Sequence, residues 1–401
     1  MTVEIKKGKA NGQIMAPASK SMAHRSLICG ALSKQSTIKG LDFSEDIKAT
    51  IGCLKTLGAN VKIEGNSVTI GGLLDSKKKV DEPLLCGESG STLRFLLPLC
   101  LLRGEPIVLK GTKRLFERSL SVYEDIAKAQ GIKFLQKDNA VMVCGVLKSG
   151  LYEVKGDISS QFISGLLFAL STLKNDSIIK IEGKFESASY VGLTLKALGD
   201  FGVRVTRLDA KSFKVHGSQS YFSQNITVEG DYSNAAFFDA LNVFGGNVLV
   251  KGLDPQSIQG DRVYKDYFKA IENKNSVIDL TDCPDLGPIL FALAAAKGGA
   301  VFSGTERLRI KESDRVSAMA DELSKFSIPV KAGKNTVEIG KATLKKPTVL
   351  LDGHNDHRIV MALSVLCTIT GGKIMGAEAV AKSLPQFFSL LSSLGIEVNE
   401  I

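Results

Sequence analysis

Gly87-Glu88-Ser89-Gly90-Ser91 is a polar turn that opens an apolar run from Leu93 to Cys100, and five other stretches repeat the arrangement. They are Ser19-Lys20-Ser21, Gly156-Asp157-Ile158-Ser159-Ser160, Gly230-Asp231-Tyr232-Ser233-Asn234, Asp282-Cys283-Pro284-Asp285 and Asn355-Asp356-His357-Arg358. After each comes an apolar helical segment, a small-residue break and a short strand ending near Gly40, Gly111, Gly183, Gly252, Gly304 or Gly376. A second helix then exits through patterns such as Leu57-Gly58-Ala59-Asn60-Val61 and Leu394-Gly395-Ile396-Glu397-Val398. The period of about 70 residues is the scale of a supersecondary unit that carries two helices on a few strands. The copy between Asp231 and Asp285 is shorter. Such a unit cannot bury both helices alone, so the copies must pack on one another. Six copies in 401 residues predict an α/β protein with two pseudo-symmetric domains of three units each.

Composition sets the frame around this repeat. A hydrophobic fraction of 44% and a charged fraction of 23% fit a globular chain with ample core. There is no Trp and aromatics are 6%, so the cores must be built from Leu, Ile, Val and Ala. The net charge of +9 points to an anionic partner or a generally basic surface. Nucleic-acid binding would favour clustered cations beside exposed aromatics, whereas here the charges are dispersed; no nucleic-acid partner is expected. The seven cysteines are odd in number and contain no Cys-x-x-Cys pair, which predicts buried free thiols. Four histidines, spaced as they are, give no zinc pattern, and no metal is expected. The N-terminal segment lacks a signal-peptide apolar core, and no apolar run is long enough to cross a bilayer. A cytoplasmic monomer that binds no membrane is the expectation.

The turns themselves carry the chemistry. The first N–H groups of a helix lack internal partners and bear partial positive charge. For Ser19, Asp157, Asp231 and Asn355 helix capping is the ordinary role. Cations there need another reason. Lys20 and Arg358 sit in or beside a first turn, where the dipole disfavours them by about 0.3–1 kcal/mol. Arg25 and Arg94 follow a turn further in. A bound anion would favour both the N–H groups and the cations. Lys311-Glu312-Ser313-Asp314-Arg315 packs four charges of both signs into one predicted helical turn. Lys311 with Asp314 and Glu312 with Arg315 are i,i+3 pairs, whereas Lys311 and Arg315 are like charges at i,i+4. Arg307 and Arg309 add to the positive field, leaving Glu312 a carboxylate among cations, available for proton transfer.

These residues, in order, resemble the 5-enolpyruvylshikimate-3-phosphate synthase family. The resemblance rests on Pro17-Ala18-Ser19-Lys20-Ser21-Met22-Ala23-His24-Arg25, Gly87 to Arg94, Lys113-Arg114 with Glu117-Arg118, Ser159-Ser160-Gln161-Phe162, Arg309 to Arg315, Asn355 to Arg358, and Ala381-Lys382-Ser383. It covers nearly the whole chain. It implies a two-domain inverse α/β barrel, each domain three copies of a βαβαββ unit, with the active site in the interdomain cleft. One domain would comprise residues 1–18 and 230–401, and the other, inserted, residues 19–229. The implied reaction moves the enolpyruvyl group of phosphoenolpyruvate onto the 5-hydroxyl of shikimate 3-phosphate and releases phosphate. Both partners are polyanions, so several fixed cations are needed. An acid and a base are needed too, but no cofactor.

By position, the resemblance assigns Lys20, Ser21, Arg25, Ser159, Ser160, Ser187, Tyr190, Asp285 and Lys311 to shikimate 3-phosphate. Gln161 would touch both substrates, and Gly90, Arg114, Arg315, Arg358 and Lys382 would hold phosphoenolpyruvate, with Lys20 shared and His357 counted among the binding residues. Asp285 is implied as the base toward the 5-hydroxyl. Glu312 and Lys20 are both candidates for proton transfer at C3. Glu88, Arg307 and Phe95 depart from the family's commoner Asn, Asn and Pro. A sister family, which transfers enolpyruvyl to a UDP-linked amino sugar, carries a Cys in the region matching about residues 111–118 and Lys-Asn where this chain has Lys20-Ser21. This chain has no Cys between Cys100 and Cys144.

Overall fold

The computed structural model describes residues 1–273 and 277–401. The chain divides into two compact units, one of Met1–Pro17 with Gly230–Ile401 and one of Ala18–Glu229. Each has its own continuous apolar core.

In Ala18–Glu229 three four-stranded sheets repeat one topology. Leu84–Leu85 runs parallel to Ile107–Lys110, which pairs antiparallel with Ala140–Cys144, and Lys133–Lys137 closes the hairpin. Leu151–Lys155, Ser177–Glu182, Ser212–Val215 and Val205–Arg207 repeat the pattern. In the first sheet the parallel edge strand is Asn225–Thr227, from the far end of the segment, so the unit closes on itself. Strict alternation explains the strands: Tyr152, Val154, Ile179 and Ile181 are buried while their neighbours along the strand are exposed.

Two kinds of helix sit on these sheets. Gly90–Cys100 and Ser160–Leu170 are buried on nearly every face, as mostly apolar helices must be, and Lys20–Leu32 is buried as well, with His24 and Arg25 inside. Glu45–Thr56 and Ser121–Gln130 bury only one stripe. A Cβ on Gly165 would stand 2.3 Å from both the Arg94 carbonyl and the Tyr123 hydroxyl. Glycine there lets two buried helices approach closely, and Tyr123 ties them by donating to the Arg94 carbonyl at 2.6 Å.

The other unit has two sheets of the same kind. In one, Val277–Asp279, Ala300–Ser303, Thr336–Ile339 and Val330–Ala332 repeat the topology. In the other, strand Thr2–Ile5 from the N-terminus completes a set made with Leu351–Asp352, Gly372–Met375 and Val398–Glu400. The third set is, among the described residues, the parallel pair Asn11–Met15 and Asn247–Lys251. This is the short copy: among the described residues no hairpin of its own follows its second helix, Tyr264–Glu272.

Two local expectations are corrected. The caps of the third and sixth copies are Ser159 and Asp356, not Asp157 and Asn355. Asn355 has φ 50°, whereas Asp356 is extended and its Oδ1 accepts the Arg358 N–H at 2.9 Å. Lys311–Asp314 is a bend rather than a helical turn, because Asp314 caps the helix that begins at Arg315 by accepting from the Val316 and Ser317 N–H groups. Of the cysteines six are buried, Cys144 is half-buried and none is bonded to another. No helix among the described residues is long and apolar enough to cross a membrane.

Candidate active site

Three carboxylates and three cations interlock at helix starts of the unit Met1–Pro17 with Gly230–Ile401. Asp285 precedes the Gly287–Lys297 helix on a 3-10 turn. Its Oδ1 accepts from Arg315 Nη1 at 3.0 Å and Lys311 Nζ at 3.4 Å, and its Oδ2 from Arg358 Nη2 at 3.1 Å. Arg315 is the hub. Its Nη2 donates to Glu312 Oε2 at 2.8 Å and its Nε to Asp356 Oδ2 at 2.8 Å. The Arg315 side chain is 1% exposed and that of Asp356 0%. Burial alone would lower the Arg315 pKa, but Asp356, Glu312 and Asp285 raise it above its ordinary value. Burial pushes Asp356 up, yet Arg315 outweighs this and holds it below the usual carboxylate range.

The i,i+3 pair Glu312–Arg315 forms, whereas Lys311–Asp314 does not. Lys311 reaches Asp285 instead, and Asp314 pairs with Arg309 at 3.3 Å. Burial brings Lys311 down to about 8, only partly opposed by Asp285. Arg307 is buried nearby and adds to that lowering. His357 is buried, with Nδ1 3.9 Å from Asp356 Oδ1. Lys382 donates from Nζ to the Asn355 carbonyl at 2.5 Å.

The unit Ala18–Glu229 gathers a second group at the starts of its buried helices. Lys20, at the first position of its helix, pairs with Asp46 Oδ2 at 2.8 Å, which answers its unfavourable place at a positive helix end. Arg25 is buried with three donors fixed: Nε to Thr194 Oγ1, Nη1 to the Ser21 carbonyl and Nη2 to the Tyr190 carbonyl. Burial lowers its pKa to about 10. It also lies over the Phe95 ring at 5.1 Å, so the residue that departs from the family's Pro has a packing role. Ser159 caps the Ser160–Leu170 helix through the Gln161 N–H, and Ser160 is its first residue. Gln161 bridges Arg94, whose Nη1 donates to Oε1 at 3.2 Å, and Ser91, whose Oγ accepts from Nε2 at 3.0 Å. Ser187 is buried at φ 55° just before the Ala188–Asp200 helix, and Tyr190 contributes its carbonyl to Arg25.

Gly90 lies against two guanidinium groups. A Cβ there would lie 2.9 Å from Arg94 Nη1 and from Arg118 Nη1. The guanidinium groups beside Gly90 are therefore those of Arg94 and Arg118. Arg114 forms an exposed i,i+3 pair with Glu117 at 3.3 Å. The sequence reading also passed over Asp42, which accepts the Ala18 N–H at 2.7 Å, Asp46 and Asp356. Acidic residues at helix starts are commonplace, and nothing in their spacing distinguishes a partner of Lys20 or Arg315 from an ordinary cap.

Fixed cations with two half-buried carboxylates at helix N-termini can bind a polyanion and move a proton. The family model for EPSP synthase (3-phosphoshikimate 1-carboxyvinyltransferase) matches residues 5–391. A 3-phosphoshikimate 1-carboxyvinyltransferase of Clostridium kluyveri is 42% identical over 99% of this chain and 98% of its own length. One from Clostridium perfringens is 40% identical over 98% of each. Among solved structures, EPSP synthase from Acinetobacter baumannii superposes with a TM-score of 0.80 over 100% of both chains at 23% identity. The enolpyruvyl transferase NikO of Streptomyces tendae gives 0.77 at 14% identity over 99% of this chain and 98% of its own. At those identities the two structures bear on the fold alone, whereas the family match and the clostridial relatives place the chain in the EPSP synthase family, to which it belongs.

Proposed function

We infer that this protein transfers the enolpyruvyl group of phosphoenolpyruvate to the 5-hydroxyl of shikimate 3-phosphate, releasing phosphate. The observation that carries the site reading is the carboxylate pair Asp285 and Glu312, both bonded to Arg315 with Lys311 and Arg358 alongside. Asp285 takes the proton of the 5-hydroxyl as the oxygen attacks C2. C3 receives a proton in the same addition, giving a tetrahedral intermediate. Loss of a C3 proton and of phosphate then restores the double bond. Glu312 and Lys20 serve the proton steps at C3. Cations fixed before the reaction stabilise the charge without reorganising.

Arg25, Lys311, Ser21, Ser159, Ser160, Ser187 and Tyr190 are assigned to shikimate 3-phosphate, and Gln161 to both substrates. Gly90, Arg315, Arg358 and Lys382 are assigned to phosphoenolpyruvate, with Lys20 shared and His357 counted among the binding residues. Arg118, whose guanidinium lies beside Gly90, is assigned to phosphoenolpyruvate in preference to Arg114. Arg25→Ala is therefore expected to raise KM for shikimate 3-phosphate about tenfold or more, and Arg118→Ala and Arg358→Ala that for phosphoenolpyruvate. Arg114→Ala, which removes a pair with Glu117 on a largely solvated side chain, is expected to change either KM by no more than about twofold. Steady-state kinetics with each substrate varied will read this; equal effects of Arg114→Ala and Arg118→Ala would sink the assignment.

Lys311 gives a pH prediction. It must be charged to hold an anion, and it loses its proton near 8 in the free protein. The value of kcat/KM for shikimate 3-phosphate is expected to turn downward as pH rises through that region. Lys311→Arg, which stays charged, is expected to remove the turn. A wild-type profile flat to pH 9 would contradict the role.

Acceptor choice tests the functional reading against the sister chemistry. Mass spectrometry of the products, with shikimate 3-phosphate and the UDP-linked amino sugar offered together, should find enolpyruvyl on the shikimate alone. Transfer to the sugar would overturn it.

A further inference from the structure

The Arg315–Lys325 helix grips the segment ahead of the His357–Thr370 helix at two places. One is the Arg315–Asp356 pair. The other is Glu322, two turns on and on the same helix face. The Glu322 side chain is 1% exposed, and no step of the reaction uses it. Its Oε2 accepts from the Asp352 N–H at 2.9 Å, and its Oε1 lies 3.1 Å from His354 Nε2. Lys325 Nζ donates to both oxygens at 2.8 and 2.9 Å. Asp352 Oδ1 in turn accepts from the His354 N–H at 2.7 Å.

What these bonds hold is a strained turn. His354 and Asn355 are consecutive non-glycine residues with φ of 48° and 50°. Each such residue costs on the order of 1 kcal/mol or more and persists only where its surroundings over-determine it. The turn points the Asn355 carbonyl at Lys382 Nζ and delivers Asp356 to Arg315 and to the Arg358 N–H. A carboxylate remote from the ligand contacts thus ends in two of them.

We propose that Glu322 is a positioning residue: with His354 and Asp352 it latches the Gly353–Asn355 turn in its left-handed form and so places Lys382 and Arg358 for phosphoenolpyruvate. The proposal rests on the reading of those two cations as phosphoenolpyruvate contacts. The charged groups that face His354 are Glu322, Asp321 and Lys325 of the helix and Asp352 of the neighbouring strand. The hydrogen bond to Glu322, opposed by burial and aided by Asp352, raises the His354 pKa above the ordinary histidine value. A raised value means that the latch is tightest when the imidazole is charged and slackens as pH rises through it.

Three variants test this with both substrates varied: Lys382→Ala, Glu322→Gln and His354→Asn. Asparagine tolerates the left-handed conformation but cannot reach Glu322, so it separates the latch from the turn. Lys382→Ala is expected to raise KM for phosphoenolpyruvate about tenfold. Glu322→Gln and His354→Asn are expected to raise the same KM by about three- to tenfold, leave KM for shikimate 3-phosphate within about twofold, and be no worse combined than singly. NMR titration of the histidines, four in all, should show the His354 pKa falling in Glu322→Gln. His354 is half-buried and carries the test if Glu322→Gln does not fold. An unchanged phosphoenolpyruvate KM in Lys382→Ala would overturn the site reading and the latch's role with it. A raised KM in Lys382→Ala beside unchanged values in the other two would overturn the latch alone. Equal losses in both KM values and kcat would mark Glu322 as structural and also overturn it.

Discussion

Glu312→Gln is expected to lower kcat by about two orders of magnitude or more while KM for shikimate 3-phosphate moves by no more than about threefold. Glutamine keeps the size of the side chain and one acceptor for the Arg315 Nη2 hydrogen bond of 2.8 Å, so the loop should keep its place. What disappears is a titrating group. Protonation and deprotonation at C3 both need one, and the bond to Arg315 holds Glu312 in a single orientation for them. Asp285→Asn should also be severe, for a second reason. It removes the proposed base toward the 5-hydroxyl and a carboxylate shared by Lys311, Arg315 and Arg358. Rapid-quench and steady-state kinetics will separate these effects. A Glu312→Gln enzyme with near-wild-type kcat would end the proton-transfer assignment.

The second large effect concerns stability. Arg315→Leu strands Asp356, which is 0% exposed, without its guanidinium. Removing one partner of a buried pair costs about 3–5 kcal/mol, because the remaining charge has lost both water and partner. At about 2–4 °C per kcal/mol for a unit of this size, the thermal midpoint should fall by roughly 10 °C. Asp356 is held below the ordinary carboxylate range. Its share of stability is therefore present above that range and lost as pH falls through its folded pKa; in Arg315→Leu this acid dependence should shrink. Adding Asp356→Asn to Arg315→Leu should recover part of the loss, since asparagine can still cap the following helix. A double variant no more stable than Arg315→Leu would show that Arg315 does not compensate Asp356.

Much of the fold was legible because the repeat is written in features that physics makes visible. Apolar runs such as Leu93 to Cys100 read as buried helices, and Gly304 and Gly376 follow strands at positive φ. The short fourth copy was legible as a gap, and among the described residues it has no hairpin of its own. The cations of the site stood out because they occupy helix starts where the dipole opposes them. Their partners did not. Asp46 and Asp356 occupy the positions that acidic residues ordinarily take, and their reach to Lys20 and Arg315 is set by tertiary packing. The same holds for Arg114 and Arg118. Four residues apart, they are indistinguishable by composition, and only the turn after Thr112 decides which one lies beside Gly90. Glu322 and His354 were invisible for a further reason: their link depends on two residues adopting a backbone conformation that the sequence around them does not advertise.

Phosphate release from phosphoenolpyruvate, measured with and without shikimate 3-phosphate, tests the central claim most directly. Phosphate should appear only when shikimate 3-phosphate is present, in a one-to-one ratio with its enolpyruvyl ether. Release that is independent of shikimate 3-phosphate, or none at saturating concentrations of both substrates, would contradict the account.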